Sequence, residues 1–450
     1  MKKTTTFFFT LSLLLLTKLS SAQWMPVCTS GNGFVDNFEV FNNELYATGF
    51  FTNSCGANHH YLAKWNGSTW SSVGNGLPQA GHHLQSINTD LFAVTYQPAI
   101  DSNWVYKFDG SNFNKYGEGV YLSYAVTGFS QTANLYNCIE YNSKLVVCGE
   151  FDRVGTKHIS GIMQWNGTAW DSLGAGLSGH VTGTDLIMYP HDLCTYNSDL
   201  IVCGNFKNAG NQLVNGIARW DGTQWHALGA GFNGVVYGIT VYNGELYAGG
   251  DFTASGSTPL MYIAKWNGTA WVDPGFQLYY RSTANYSFIH TLKVIDNKLF
   301  ISGGFDRVVV GTDTMDCTAV AAYDGVKLDT LFGGISGKEV EALALFQNSI
   351  YAGGGLFGSS YIAKLDLSNG IAAVANEQIK LVPNPSSGTF QINSKEVIQH
   401  IDVYDLKGEC IYQSSGSKCI QPISIDREGL FLVSIQTPTN HYSKKIYICN

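Results

Sequence analysis

The sequence predicts an all-β protein, and a repeated unit together with the composition supports this prediction. The unit combines an alternating apolar strand pattern, a Gly-Gly pair and a Trp-Asn-Gly turn, and its clearest copy runs from Leu246 to Trp271. Equivalent positions in the first and last copies, Trp65 and Leu365, are 300 residues apart, which gives a mean period of 50 residues over seven copies. Repeats near this length are typical of propeller blades. We therefore predict a seven-bladed β-propeller followed by a small antiparallel β-sandwich domain of the Ig-like type.

Composition narrows the class of protein further. Among the 450 residues, 50 are glycine, 13% are charged and 13% are aromatic, which suits short strands and tight turns and argues against disorder. The net charge is −8, and a nucleic-acid partner is not expected because binding nucleic acid needs a basic face. No cofactor is expected either.

The first residues are typical of an export signal. Lys2 and Lys3 precede the apolar run Phe7–Leu16, and Ser20-Ser21-Ala22 forms a small-residue cleavage site. We predict a signal peptide over residues 1–22. No other apolar stretch reaches the roughly 18 residues that a spanning helix needs, so the mature chain is predicted to have no membrane span.

One copy of the repeat accounts for one four-stranded blade. Val235–Tyr242 alternates as a strand does, Asn243-Gly244 is a hairpin turn signal, and Leu246–Phe252 is a second strand. Ile263–Trp266 is a third strand, and Trp271 begins a fourth after another Asn-Gly turn. Trp and Tyr rings would fill the space between neighbouring sheets.

This order of motifs resembles the kelch family of propellers over residues 24–374. The match consists of a strand that ends in Gly-Gly, followed by an aromatic residue and then Trp, as in Gly249-Gly250, Trp266 and Trp271. Gly303-Gly304 and Gly353-Gly354 repeat the glycine pair, whereas the first four copies lack it. The resemblance implies a kelch-like ring of blades over domain 23–374.

The last repeat lacks its fourth strand. Trp24–Val27 with Gly31–Phe34 resembles the fourth-strand segment Trp225–Phe232 of another repeat. We predict that residues 24–34 supply the outer strand of the last blade and close the ring, which would protect an open sheet edge. The alternative is that Ile371–Val374 forms this strand.

Long and variable links fall at one end of the predicted ring. They are the second-to-third strand links and the blade-to-blade links, and loops on a rigid scaffold are where ligands usually bind. The candidate ligand-binding residues in these links are Asp152, Arg153, Asp306, Arg307, Tyr279, Tyr280 and Arg281. The alternative is structural: a local Asp-Arg pair would hold each loop, and the tyrosines would pack on the scaffold.

Motifs for catalysis and metal binding are absent from the sequence, so no catalytic residue, no metal and no enzymatic activity are predicted. His82 and His83 are adjacent, and neighbours in a regular strand point to opposite faces. Cys148 and Cys203 occupy a small-residue position of the second strand, where buried free thiols are expected, whereas Cys410 and Cys419 could form a bridge.

The C-terminal region has a different pattern. After a linker over residues 375–380, the segment 381–450 has short alternating strands and four ordered motifs, Pro-Asn-Pro-x-x-Gly, Tyr-Asp-x-x-Gly, Gly-x-aromatic-x-Val and Lys-Lys-Ile. These resemble the type A C-terminal sorting domain of the type IX secretion system. The motif residues are Pro383, Asn384, Pro385, Gly388, Tyr404, Asp405, Gly408, Lys444 and Lys445. The resemblance implies the type IX secretion machinery as a partner and a secreted or surface location reached through the periplasm.

Three functions are compatible with the sequence. The first is a secreted or surface propeller that binds a glycan or a protein through its long-loop face. The second is an extracellular carbohydrate-active enzyme, a lyase or an oxidase, which convergent carboxylates, or Tyr and His, at the channel mouth would favour. The third is a purely structural surface component.

Overall fold

Every regular element in the described part of the chain is a β-strand. The computed structural model describes residues 24–27, 31–54, 57–96, 102–123, 133–179, 181, 188–280, 287–331, 334–335, 337–356, 362–367, 379–382, 386, 388–394, 396–405, 409–415, 418–438 and 441–448. The predicted signal segment 1–22 lies outside these residues. The chain divides into two units, residues 1–369 and 370–450.

The first unit contains, within its described residues, seven sheets with a path of four antiparallel strands. We number the sheets in chain order. Their strands are Gly31–Phe41, Glu44–Ser54, Leu62–Trp65 and Trp70–Ser72; Gly81–Ile87, Asp90–Thr95, Ser102–Phe108 and Phe113–Tyr121; Asn134–Tyr141, Lys144–Glu150, Ile162–Trp165 and Trp170–Ser172; Tyr189–Tyr196, Asp199–Asn205, Ile217–Trp220 and Trp225–Ala227; Val236–Tyr242, Glu245–Gly250, Ile263–Trp266 and Trp271–Val272; Phe288–Ile295, Lys298–Gly304, Val320–Tyr323 and Leu328–Asp329; and Gly337–Phe346, Ser349–Leu356, Ile362–Asp366 and Met25–Pro26.

The seven sheets follow one another around a closed circuit. The first strand of each sheet contacts the first strand of the next, and the first strand of the seventh sheet contacts that of the first. Seven apolar clusters each draw residues from two neighbouring sheets, so the core of this unit lies between sheets. The first strands therefore surround a common centre.

Tryptophan pairs organise the outer strands. Trp220 and Trp225 lie opposite each other in the register of the third and fourth strands, with ring centroids 5.1 Å apart. Between them, the Asp221 carboxylate accepts hydrogen bonds from the backbone N–H groups of Thr223 and Gln224 at 2.8 and 2.9 Å. The repeated Trp-Asn/Asp-Gly pattern is thus an Asx turn that places two aromatic rings side by side.

The small-residue position of the second strand faces the next sheet. Cys148 and Cys203 occupy it with no exposed surface and as free thiols. In the fifth sheet, a Cβ on Gly249 would lie 2.5 Å from Cγ2 of Ile289 on the neighbouring first strand. Close approach of adjacent sheets therefore excludes large side chains here.

The N-terminal strand belongs to the seventh sheet. Met25 pairs with Lys364 and Pro26 with Ala363 in antiparallel register, and Trp24 is buried in the cluster between the sixth and seventh sheets. The predicted extent, residues 24–34, is too long: Gly31–Phe41 is the first strand of the first sheet, because its backbone pairs with Glu44–Ser54. The alternative strand, Ile371–Val374, lies outside the described residues.

Short hairpins occupy several of the second-to-third strand links. Where the preceding sheet-to-sheet connection is also a strand, it pairs with the hairpin and forms a small additional sheet. The short strands are Ala57–Asn58, Arg153–Val154, Lys157–His158, Leu177–Ser178, Asn208–Ala209, Gln212–Leu213, Ala254–Ser255, Thr258–Pro259, Gln277–Tyr279, Arg307–Val310 and Asp313–Asp316.

The second unit has two antiparallel sheets. One contains Ile379–Val382, Thr389–Ser394 and Ile420–Ser424, and the other contains His400–Tyr404, Cys410–Ser415, Gly429–Gln436 and His441–Ile448. Phe390 from one sheet and Phe431 from the other belong to a single apolar cluster, so the alternating strands bury one face each. Cys410 and Cys419 are free thiols, so the possible bridge between them does not form.

Candidate ligand-binding site

A β-bulge interrupts the first strand of each of the seven four-stranded sheets. At this point one residue of the first strand has no counterpart in the register of the second strand. These residues, which we call the bulge ring, are Asp36, His82, Tyr136, His191, Tyr237, His290 and Glu341. Bulges redirect side chains, and here they direct seven polar or aromatic groups towards one place.

All seven residues of the bulge ring line one cavity. Its volume is about 230 Å³, and every sheet of the circuit contributes to its wall. Pockets for drug-sized ligands have volumes of about 300–1,000 Å³, so this cavity fits one small ring or one side-chain-sized group. The cavity therefore lies at the centre of the circuit, which is its axis.

In six of the seven sheets, the residue after the bulge also lines this cavity. His82 and His83 both line it, which contradicts the prediction that adjacent histidines point to opposite faces. The bulge explains the difference, because the alternation of faces fails where one residue is inserted. The Nδ1 atom of His83 lies 3.1 Å from the Nδ2 atom of Asn37 on the preceding sheet.

Histidines and tyrosines alternate over five consecutive sheets of the bulge ring. Nδ1 of His82 lies 2.8 Å from the backbone oxygen of Tyr136, and Nδ1 of His191 lies 2.7 Å from that of Tyr237. A carbonyl oxygen only accepts, so Nδ1 donates in both cases, and the neutral ring then has an unprotonated Nε2. Each of these histidines consequently offers a hydrogen-bond acceptor.

The aromatic rings support one another in a continuous arc. The rings of Tyr136 and His191 are nearly parallel, with centroids 5.9 Å apart, and His191 contacts His290 edge to face at 5.3 Å. The Tyr136 hydroxyl donates to the Glu150 carboxylate at 3.1 Å, and the Tyr237 hydroxyl donates to Asp251 at 3.4 Å. These contacts fix the ring planes before any ligand binds.

Burial keeps the histidines of the arc neutral. It lowers the pKa of His82 well below 6.5, and the neighbouring imidazoles lower it further. Burial also lowers the pKa of His191 to about 4 and that of His290 to about 3. Buried imidazole loses its charge because the charged form is poorly solvated there.

Two carboxyl groups complete the bulge ring. Burial raises the pKa of Asp36 well above its usual value, and the adjacent Glu341 carboxyl raises it further. Burial likewise raises the pKa of Glu341. Two neighbouring carboxyls ionise less readily than one alone, so each favours the protonated form of the other. The Tyr96 hydroxyl hydrogen-bonds to Asp36 and lowers the pKa of that carboxyl.

Charged groups also line the cavity beside the ring. Burial lowers the pKa of Lys293, while the Glu39 and Asp192 carboxylates raise it. Asp192 accepts hydrogen bonds from the Ile239 backbone N–H at 2.8 Å and from Asn137 Nδ2 at 2.7 Å. Burial still raises the pKa of Asp192 to about 6.

The six described loop residues that were predicted to bind ligand do not line this cavity. Asp152 accepts a hydrogen bond from the Ser123 backbone N–H at 2.7 Å, and Arg153 is an exposed residue paired with Tyr121 in the extension of the second sheet. Asp152 thus holds its loop through Ser123 and not through the Asp-Arg pair of the structural alternative.

The second group of predicted loop residues packs locally. Arg307 lies opposite Tyr279 in a short sheet, with its guanidinium carbon 5.9 Å from the ring centroid. The backbone N–H of Asp306 donates to the Tyr279 carbonyl at 3.2 Å, and that of Tyr280 donates to the Ser287 hydroxyl at 2.8 Å. Arg281 lies outside the described residues.

A fixed spacing in the sequence could have revealed the bulge ring. Each of its members precedes by six residues a turn residue with positive φ. Those turn residues are Asn42, Asn88, Asn142, Asn197, Asn243, Asp296 and Gln347. Regular alternation was expected along the first strands, and an inserted position does not follow from that pattern. Among the described residues, no group of three or more His, Cys, Asp or Glu is arranged to hold a metal ion.

Solved structures that align with most of this chain share little of its sequence. PorZ, an essential surface component of the type IX secretion system of Porphyromonas gingivalis, is 14% identical with a TM-score of 0.48, covering 95% of this chain and 61% of PorZ. The extracellular domain of the putative one-component system BT4673 from B. thetaiotaomicron is 12% identical with a TM-score of 0.46, covering 96% of this chain and 58% of that one. This chain thus spans about three fifths of both. No curated protein matches the sequence.

The C-terminal region matches a known family. Residues 380–449 match the secretion system C-terminal sorting domain. Of its predicted motif residues, Gly388, Tyr404 and Asp405 are described, Lys444 and Lys445 lie in the last strand, and Pro383, Asn384, Pro385 and Gly408 lie outside the described residues. No helix in the described part of the chain is long and apolar enough to cross a membrane. The C-terminal unit therefore carries a type IX sorting domain, which engages the secretion machinery and directs export through the periplasm to the cell surface or the medium.

Proposed function

We propose that the protein is a secreted or cell-surface, kelch-like, seven-bladed β-propeller with an Ig-like sorting domain, and that it binds a glycan. One sugar ring would occupy the axial cavity, and the rest of the glycan would extend over the long-loop face. The observation that carries this proposal is the convergence of all seven bulge-ring side chains on one cavity. The propeller assignment is supported by the closed circuit of seven four-stranded sheets in the described first unit.

The chemistry of the cavity suits a polyhydroxylated ligand. The unprotonated Nε2 atoms of His82 and His191 accept hydrogen bonds, as do the carboxyls of Asp36 and Glu341, so sugar hydroxyls can donate to several walls at once. The Tyr and His ring faces offer apolar contact to sugar C–H groups. The small volume favours a single ring of a glycan over a folded protein surface.

Carbohydrate-active catalysis is a second candidate because carboxyl, Tyr and His side chains converge at the axis. Asp36 and Glu341 are close enough to affect each other's protonation, and the Tyr96 hydroxyl acts on Asp36. A buried pair that retains a proton can supply a general acid and a general base to the same substrate. Under this alternative, a glycan would be cleaved or oxidised as well as bound.

Glycan-array binding with the full mature chain tests the proposal. His191→Phe keeps a ring of similar size but removes both ring nitrogens, so we expect it to lose most of the binding. The matched control is Arg153→Ala, which alters an exposed residue of the predicted loop site and should bind normally. If only the Arg153→Ala variant lost binding, the ligand would bind at the loops and not in the axial cavity. Product formation from a bound glycan, assayed together with metal analysis, would favour the enzyme.

A further inference from the structure

Acidic groups outnumber basic groups in the wall of the axial cavity. Among the described residues, four carboxyl side chains line it, those of Asp36, Glu39, Asp192 and Glu341, whereas Lys293 is the single Lys or Arg. The histidines do not offset this difference, since burial keeps them neutral. Retaining a proton on a carboxyl group reduces the negative charge of such a wall.

One buried acceptor atom in the same wall lacks a donor among the described residues. It is Oδ1 of Asn137, whose amide nitrogen donates to Asp192. Buried polar atoms without partners are costly, so they indicate a missing donor. Together with the Asp36 carboxyl and the unprotonated Nε2 atoms of His82 and His191, Oδ1 of Asn137 gives the wall acceptors from four sheets.

We propose that the group bound in the axial cavity carries a protonated amine, as an amino sugar with a free ammonium group does, and that Asp36 and Glu341 together form its counter-ion. This inference rests on the proposed function for the cavity and adds the chemical class of the ligand. The ammonium group donates up to three hydrogen bonds, which matches a wall rich in acceptors. Tyr136 and Tyr237 also line the cavity, and aromatic rings attract a cation placed over their faces.

Binding of the ammonium group displaces a proton. In the empty cavity the Asp36–Glu341 pair holds one proton, and in the complex both carboxylates are ionised while the ligand keeps its own proton. One proton therefore passes to solvent for each cation bound, so charge and atoms balance. Affinity rises with pH as the pair becomes easier to ionise, until the ligand amine itself loses its proton.

Other titratable and charged groups lie around this pair and determine the pH range over which it releases its proton. Tyr96 from the second sheet and Glu339 from the seventh change the pKa values of the pair. His82 and His83 from the second sheet, His290 and Lys293 from the sixth, and Glu39 from the first line the same wall. The Tyr96 hydroxyl lowers the pKa of Asp36, so its removal should shift proton release to higher pH. Lys293 lies beside Glu39 and Asp192 and is compensated by them.

Calorimetric titration of the full mature chain tests the inference with three probes that differ only at one position: the β-1,4-linked dimers of glucosamine, N-acetylglucosamine and glucose. We expect the glucosamine dimer to bind at least about thirtyfold more tightly than the others, the effect of one buried charge partner. Titration in two buffers of different ionisation enthalpy should show one proton released. Asp36→Asn combined with Glu341→Gln should abolish both the preference and the release.

Each result separates this inference from the proposed function. Equal affinity for the three dimers would overturn the inference and leave glycan binding intact. Binding of ethanolamine without binding of any sugar dimer would support the ammonium site and overturn the glycan proposal, and binding of no probe would overturn both. If the double variant does not fold, Tyr96→Phe provides the second test: the pH midpoint of affinity for the glucosamine dimer should rise, and an unchanged midpoint would contradict the inference.

Discussion

The buried histidines of the bulge ring make the folded protein sensitive to acid. The pKa of His191 is about 4 in the folded state, against 6.5 for an ordinary histidine, because burial disfavours the charged ring. At pH values between these two, the ring is protonated in the unfolded chain and neutral in the folded chain. The free energy of unfolding therefore decreases as pH falls from about 6.5 to about 4. Asp192 has the opposite effect. Because its pKa is raised to about 6, its contribution to the stability of the folded protein decreases as pH rises.

We expect His191→Gln to reduce the acid sensitivity. A glutamine amide can still donate to the Tyr237 carbonyl, but it does not titrate. The free energy of unfolding of the wild type should therefore fall by roughly 3 kcal/mol more than that of the variant between about pH 6.5 and pH 4. Chemical denaturation across this range measures the difference. The control is His158→Gln at an exposed position, and equal slopes for His191→Gln and wild type would contradict the argument.

We expect the two-residue strand Met25–Pro26 to stabilise the first unit more than its length indicates. It covers the outer edge of the seventh sheet, and the Val27 N–H donates to the Ile362 carbonyl at 3.0 Å. Its neighbour Trp24 is only 5% exposed and packs in the cluster that joins the sixth and seventh sheets. The strand and the tryptophan thus link the beginning of the described chain to the last sheet.

Trp24→Ala tests this link at the level of one side chain. Removing a buried tryptophan costs about 3–5 kcal/mol, so the melting temperature should fall by several degrees. Met25→Ala is the matched control, because Met25 belongs to the same strand but is 48% exposed. If both variants melt like the wild type, the N-terminal segment is peripheral to the stability of the first unit.

The strands were predictable where local sequence determines them, and the site was not. The hairpin turn at Asn243 and the Trp266–Trp271 pair follow from turn chemistry and aromatic spacing. The bulge at Tyr237 is a one-residue insertion, and alternation over a short strand does not distinguish it from a regular pattern. The cavity was missed for the same reason, and because its members come from seven separate strands that only the closed circuit brings together.

Export of the whole molecule depends on its C-terminal unit. Removing residues 377–450 deletes the matched sorting domain, so the first unit should accumulate in the periplasm. Fractionation with immunoblotting of the cell surface, medium and periplasm measures this. The full-length Arg153→Ala variant should be exported normally. Export of the truncated chain at normal levels would refute the role of this domain.

Because a bulge residue has no partner across the strand, replacing it leaves the neighbouring backbone pairing intact. Descendants of a common ancestor could therefore exchange these side chains, with adjustment of the neighbours that they contact, and acquire new ligand preferences with little loss of backbone pairing. A comparison of related sequences, aligned at the position six residues before each positive-φ turn, would then show high diversity at that column between conserved flanking positions. The same column offers a compact combinatorial library for engineering selectivity.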